Sequence, residues 1–184
     1  MSKTEERIIS RDCQATAVPS GEMVTLPKGS KVNITHRLGG NFTVIWDYGM
    51  ARIDRENVDA LGEELPTSVV QNSLKIEHQG PPDESAIWEE LKTVFDPEIP
   101  VNIVDLGLVY SLNIEEKENE NYNVNVKMTL TAPGCGMGPV IAEDAKSKMR
   151  DVPGVTEVDV ELVWDPPWNQ DMISEEGKMQ LGLI

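Results

Sequence analysis

The sequence is poor in cysteine, histidine and aromatic residues. Its 184 residues include two cysteines and two histidines, and aromatic residues make up 5%. Two cysteines so far apart, Cys13 and Cys135, do not indicate a disulfide scaffold, so a cytoplasmic location is the default expectation. His36 and His78 are separated and have no neighbouring second ligand, whereas a closed metal site needs about four ligands. A histidine-based metal centre is therefore not expected.

Long hydrophobic runs and an excess of basic residues are also missing. No apolar run approaches a membrane span, and residues 1–10 lack the apolar core of a signal peptide. The formal net charge is −16, which argues against nucleic acid and anionic membranes as partners. Residues 1–80 contribute −2 and residues 81–184 contribute −14, which fits two units of different character. Excess acid also serves solubility, so it does not by itself indicate a basic partner.

The N-terminal part is predicted to form a small antiparallel β unit over residues 5–58. Turn residues, glycine among them, separate short β-prone runs. A helical turn is expected at Asn57–Glu64, and Cys13 is interpreted as a small core residue. The β-prone runs are Glu22–Leu26, Lys31–Thr35 and Phe42–Trp46.

The C-terminal part shows the order α-β-β-α-β, and Gln79-Gly80-Pro81-Pro82 is the best linker before it. Three strands with one apolar face each can be covered by two amphipathic helices. The second and third strands, joined through a helix, should run parallel with a right-handed crossover. The predicted fold class is therefore α+β. A small β-rich unit, residues 1–78, precedes an α-β-β-α-β two-layer domain, residues 84–184, with a three-stranded mixed sheet and a C-terminal tail helix.

Both ends of this domain carry further expectations. Asp83 should cap a first helix that continues to Asp96-Pro97, because proline forces the preceding residue out of helical geometry. Gly177 should weaken the short tail helix. Trp168 and nearby methionines could form a partner surface or pack onto the domain. The apolar stripe expected on the first helix is Ile87, Trp88, Leu91, Val94 and Phe95.

The clearest chemical signal is the stretch Thr129–Arg150. A strand ends here, Cys135 lies among three glycines, and Pro139 suits the first position of a helix. The amides and dipole of a helix N-terminus favour a thiolate over a thiol, and glycines allow a ligand or partner to approach closely. The alternative is a buried structural cysteine in a glycine-rich turn.

The remaining motifs exclude several kinds of chemistry. The glycines around Cys135 fit neither a phosphate loop nor a dinucleotide fingerprint, and a cysteine hydrolase would need a histidine base nearby. Asp96 and Glu98 could act as an acid–base pair, although such loop carboxylates are more often caps and turn formers. A lone thiolate with carboxylates nearby suits iron in an iron–sulfur cluster. Further thiolates would have to come from a second chain, a partner or a small thiol.

Several separated motifs, in the right order, closely resemble the SufT/PaaD-like iron–sulfur assembly family. The resemblance spans about Ala86–Leu183. The preceding part, with Arg11-Asp12-Cys13 and Gly39-Gly40-Asn41-Phe42-Thr43-Val44, looks like the extra region of the long form of SufT. The motifs are Asp96-Pro97-Glu98-Ile99-Pro100, the run from Asn102 to Tyr110, Met128-Thr129-Leu130-Thr131 leading to Cys135, and Val163-Trp164-Asp165-Pro166-Pro167-Trp168.

This resemblance implies an auxiliary factor in maturing iron–sulfur proteins, not an enzyme. Its partners would be the iron–sulfur assembly machinery and recipient apo-proteins, with a homodimer as one arrangement, and its only cofactor a transient iron–sulfur cluster. Many relatives have proline after the reactive cysteine, whereas this chain has Gly136 at that position. A rigid loop around the cysteine is therefore not expected here. The alternative is an acidic adaptor without cluster chemistry.

The resemblance also assigns roles to individual residues. Cys135 maps to the reactive cysteine and is the one candidate metal ligand, and Trp168 is the candidate for a partner surface. The acidic signature of the family maps to Asp96, Glu98 and Asp105, and the loop around the cysteine to Thr131, Gly134 and Gly136.

Overall fold

The computed structural model describes residues 5–64 and 80–184, which belong to two compact units divided within residues 65–79. His78 and part of the expected linker, at Gln79, lie outside the described residues. Within the described ranges, no helix combines the length and the apolar character needed to cross a membrane.

The N-terminal unit is a six-stranded antiparallel sheet, which confirms the predicted β-rich unit. Its strands are β1 Glu5–Ile8, β2 Cys13–Val18, β3 Met23–Leu26, β4 Lys31–Leu38, β5 Asn41–Trp46 and β6 Gly49–Ile53. They lie side by side in the order β1-β4-β5-β6-β2-β3. A 3₁₀ helix, Arg55–Leu61, follows the last strand, close to the helical turn expected at Asn57–Glu64.

Three of these strands, β1, β2 and β6, lie outside the predicted β-prone runs. Their sequences are short and include charged or small residues, so tertiary pairing rather than intrinsic preference makes them strands. Alternate residues of the sheet still face one core, where Val44, Ile53 and Cys13 are buried together with Val58 and Leu61 of the 3₁₀ helix.

The C-terminal unit confirms the order α-β-β-α-β and the tail helix. The central strand of its three-stranded sheet pairs antiparallel with the first strand and parallel with the last. The mixed sheet and the parallel pair joined through a helix therefore agree with the sequence. The elements are α1 Glu84–Leu91, β7 Val109–Lys117, β8 Asn121–Met128, α2 Gly138–Arg150, β9 Glu157–Leu162 and α3 Glu175–Gln180.

Alternation along β8 separates two faces of this sheet. Val124, Val126 and Met128 are buried, whereas Lys127 on the opposite face is exposed. Helix α2 packs against β9 and against α1, with Ile141, Ala145 and Met149 buried along its inner side. The apolar patterns of strand and helix thus build the two-layer core.

A buried lysine joins the two helices on one side of this core. Lys148 of α2 is 1% exposed, and its ammonium group donates to the Thr93 carbonyl at 2.5 Å. Asp144, one turn earlier, lies 3.8 Å from the same nitrogen. Because an ammonium group is costly to bury without hydrogen bonds and countercharge, this contact links α2 specifically to the turn after α1.

The first helix is shorter than predicted. It ends at Leu91, and a turn through Lys92 and Thr93 follows, so Val94 and Phe95 lie beyond it. Phe95 instead forms an antiparallel bridge with Asn102, and the Ile103 N–H donates to the Val94 carbonyl at 2.9 Å. These non-local hydrogen bonds replace the last helical turn and close the loop that contains Asp96 and Glu98.

The two units are predicted to fold independently. We expect a fragment of residues 80–184 to give the circular dichroism spectrum and cooperative thermal unfolding of a folded α+β domain, because its apolar residues have their own core. An unfolded fragment, compared with the full chain under the same conditions, would show that the predicted boundary is misplaced.

Candidate functional site

Three loops meet at one end of the C-terminal sheet. Met128, at the end of β8, pairs with Val109 at the start of β7 and with Leu162 at the end of β9. The segments that precede β7 and follow β8 and β9 therefore leave the sheet at the same end. We call this region the loop end; it comprises residues 96–107, 129–137 and 163–169. All the motifs that carried the family resemblance in this domain converge there.

Cys135 lies in the central loop, shortly before α2. Thr129 continues the pairing of β8 by donating its N–H to the Leu108 carbonyl at 2.8 Å, and α2 begins at Gly138. The Gly138 N–H donates to the Cys135 carbonyl at 3.1 Å, which closes the turn into the helix. The predicted placement of Cys135 at a strand-to-helix connection, with proline in the first helical turn, is confirmed.

The surroundings of Cys135 are open on one side and packed on the other. The thiol residue is half-buried, and Gly134 and Gly136 beside it are exposed. Gly134 has a φ of +77°, a conformation that side-chain-bearing residues rarely adopt. On the inner side Leu130 packs directly against Gly138, leaving no room there for a side chain. Thr131, at the start of the exposed stretch, is half-buried.

Asp96 and Glu98 are close in sequence but lie in different surroundings. Asp96 is buried, and its Oδ1 accepts the Glu98 backbone N–H at 2.9 Å. This contact is the side-chain turn typical of aspartate before proline, so Asp96 does act as a turn former. The Glu98 carboxylate is exposed.

Asp105 connects the loop end to the C-terminal tail. Its carboxylate accepts hydrogen bonds from Asn102 Nδ2 at 2.6 Å and from Ser174 Oγ at 2.8 Å, and its carbonyl accepts the Ser174 N–H at 2.8 Å. Ser174 is also the N-cap of α3, where its Oγ accepts the Gly177 N–H. The sequence analysis did not identify Ser174, although a serine just before two glutamates is a recognisable capping signal.

Gly177 has a packing role that sequence propensity did not predict. A Cβ at this position would lie 3.0 Å from the Asp105 carbonyl oxygen and 2.8 Å from Ile173 Cγ2. Glycine therefore allows the tail helix to approach the Asp105 loop closely.

The tail runs from β9 across to the β7 side of the loop end. The Tyr110 hydroxyl donates to the Pro166 carbonyl at 2.7 Å, and the Trp168 indole N–H donates to the Leu106 carbonyl at 2.7 Å. Trp168, the predicted partner surface, is half-buried and holds the tail in place. Trp164, which the sequence analysis did not select, is the more exposed of the two, at 45%.

The two cysteines differ in their surroundings. Cys13 is fully buried in the core of the N-terminal unit, and its Sγ donates to the Gln14 carbonyl at 3.4 Å. Burial raises the pKa of the Cys13 thiol, with Arg11 opposing that shift. Across residues 5–64 and 80–184, no three His, Cys, Asp or Glu side chains are placed to hold a metal ion together.

Comparison with known proteins relates this domain to iron–sulfur assembly. The profile of the family described as "Iron-sulfur cluster assembly protein" matches residues 84–160. A Porphyromonas gingivalis "Fe-S protein maturation auxiliary factor" is 45% identical over 101 residues, which are 55% of this chain and 92% of the relative. The chain belongs to the SufT family of Fe–S protein maturation auxiliary factors.

Further relatives cover about the same share of the chain. The Staphylococcus aureus "Fe-S protein maturation auxiliary factor SufT" is 41% identical over 90 residues, which are 49% of this chain and 98% of that protein. A solved structure of a conserved hypothetical protein from Thermotoga maritima is 34% identical, with a TM-score of 0.48, over 57% of this chain and 99% of that one.

Gly107 provides a test of how tightly the tail is held to the loop end. Its φ is +72°, and an added Cβ would overlap the Met172 backbone, which cannot move aside as a flexible side chain can. We expect Gly107→Ala to lower the free energy of unfolding by about 2–3 kcal/mol, measured by urea titration. Gly134→Ala, at a similar φ of +77° in the same unit but with no atom within 4 Å of its Cβ, is the matched control for backbone strain alone. Equal losses for the two variants would contradict the packing role.

Proposed function

We propose that this protein acts in iron–sulfur protein maturation by presenting the Cys135 thiolate at the loop end to a cluster or its donor. Membership of the SufT family supports the general role. The observation that supports the finer proposal is the position of Cys135, half-buried between exposed glycines where all the domain's motif segments converge. A cytoplasmic location remains a prediction.

The cluster is best treated as cargo that passes through this site. Cys135 is the only cysteine of residues 81–184, and iron–sulfur clusters are held mainly by several cysteine thiolates. The carboxylates of the loop end do not complete a ligand set: among the described residues, no three His, Cys, Asp or Glu side chains are placed to hold a metal ion, and Asp96 and Asp105 are engaged in holding the loops. The residues therefore suit a single-thiolate contact with a cluster whose other ligands belong to another molecule.

An adaptor without cluster chemistry is the second candidate. It is favoured by the net charge of −14 on residues 81–184 and by the internal roles of Asp96, Asp105 and Trp168. In that case Cys135 would be structural, and assembly proteins or recipients would recognise the surface alone. The two candidates differ in whether function requires the sulfur atom.

Cys135→Ser tests that requirement. The change keeps size and loop geometry but replaces a soft thiolate by a hard, largely protonated hydroxyl. We expect unfolding free energy to change by no more than about 1–2 kcal/mol, because the loop is partly exposed. In a deletion strain, the activities of iron–sulfur enzymes should remain as low as without the gene.

Cys13→Ser is the matched control. Cys13 lies in an apolar core, so a hydroxyl there should cost stability, yet enzyme activities in the deletion strain should recover at permissive temperature. Full recovery with Cys135→Ser would remove the sulfur from the mechanism and leave the adaptor.

The ligand count gives a second prediction. Any cluster-bound form should contain another source of thiolate: a second copy of this chain, a partner's cysteines or a small thiol. Anaerobic purification, followed by iron and sulfide analysis and native mass spectrometry, identifies the complex. A cluster-loaded monomer without any small thiol would contradict the single-thiolate role.

A further inference from the structure

An exposed tryptophan follows β9 at the same end of the sheet from which the Cys135 loop leaves β8. The Val163 N–H donates to the Met128 carbonyl at 2.8 Å, so Trp164 comes one residue after the last hydrogen bond between β8 and β9. If the parallel register of β8 and β9 is continued past Met128 and Leu162, Thr129 and Leu130 come opposite Val163 and Trp164. Thr129 and Leu130 lead directly into the Cys135 loop. Trp164 is 45% exposed, although large aromatic side chains gain most when they are covered.

The charged side chains within the loop-end segments themselves have one sign. The three segments of the loop end contain four carboxylates, and they contain no lysine, arginine or histidine. Two of these carboxylates, Glu98 and Asp165, are exposed, and Asp165 directly follows Trp164. An exposed indole followed directly by an exposed carboxylate, in segments without a cation of their own, is complementary to a guanidinium or ammonium group, which can stack on an aromatic ring and pair with an acid.

We propose that Trp164 and Asp165 form a docking surface for an arginine-bearing segment of a partner protein, and that this partner brings cysteine thiolates to Cys135. The stated partner follows from two properties of the loop end, its negative charge and its single thiolate. This inference deepens the proposed function and rests on it for the role of the thiolates, but the docking itself does not require the Cys135 sulfur.

A second copy of this chain fits the surface less well. A two-fold contact through the loop end would bring Asp165 and Glu98 of one chain towards the same carboxylates of the other. Like charges placed together at an interface oppose association, whereas opposite charges select a partner and accelerate encounter. Charge complementarity therefore favours a cationic partner.

The test uses the full-length protein and a short fluorescein-labelled peptide of Arg-Leu-Gly repeats, with Glu-Leu-Gly repeats as the matched peptide. Fluorescence anisotropy at about 50 mM and about 300 mM salt measures binding and its screening.

Trp164→Ala removes the ring, Trp164→Phe keeps a weaker aromatic face, and Asp165→Asn removes one charge. Tyr48→Ala, at an exposed aromatic residue of the N-terminal unit, and Glu116→Gln, at the opposite end of β7, are the matched controls.

We expect the arginine peptide to bind the wild type more tightly than the glutamate peptide does, and more weakly at high salt. Trp164→Ala should weaken binding about tenfold, with Trp164→Phe intermediate, while both controls bind as the wild type does. Trp164→Ala should also fail to restore iron–sulfur enzyme activities in the deletion strain. Unchanged alkylation of Cys135 by iodoacetamide and an unchanged thermal midpoint would show that its loop and fold are intact.

Three results would overturn the proposal. The first is that the wild type binds both peptides equally or binds neither, and the second is that Trp164→Ala binds the arginine peptide as tightly as the wild type does. The third is that the wild type is a dimer which Trp164→Ala converts to a monomer. The last would identify the surface as a contact between copies. Cys135→Ser separates this proposal from the proposed function. It should bind the arginine peptide normally, and its full recovery of enzyme activities would refute the role of the thiolate while leaving the docking surface in place.

Discussion

The pairing of β8 with both of its neighbours is the constraint on which the C-terminal domain depends. Because Met128 is paired with Val109 on one side and with Leu162 on the other, three segments distant in sequence must leave the sheet together. A slip of one residue in either pair would turn the apolar face of a strand towards solvent, so the hydrophobic core itself fixes the register. The position of Cys135 is therefore a consequence of sheet packing.

Periodic patterns in the sequence were sufficient for the elements of this domain, but they did not reveal which hydrogen bonds close its loops. Val124 and Val126 on β8, or Ile141 and Ala145 on α2, identify their elements because burial follows a fixed period. The early end of α1 could not be predicted, since it depends on a bridge between Phe95 and Asn102. In the N-terminal unit, β1, β2 and β6 were missed because pairing with neighbours stabilises strands of weak intrinsic preference.

The same distinction explains the candidate site. Sequence alone placed Cys135 before a helix, since glycines and a proline mark such a connection. It could not separate carboxylates that hold the loops from those that face solvent. Asp96 and Asp105 accept hydrogen bonds within the domain, whereas Glu98 and Asp165 are exposed. Nor could it decide between two tryptophans four residues apart, since only the folded chain places the Leu106 carbonyl where the Trp168 indole N–H donates to it.

These internal contacts also separate the residues of the loop end that hold its segments together from those that are left exposed. The Asp105–Ser174 and Trp168–Leu106 hydrogen bonds hold the tail to the segment before β7, while Trp164 and Asp165 are exposed between the end of β9 and that contact. Under the proposed function, the Cys135 thiolate would need ligands from another molecule to complete the geometry of a cluster. The hydrogen bonds that hold the loop end lie in the segments before β7 and after β9, while the loop that contains Cys135 is rich in glycine.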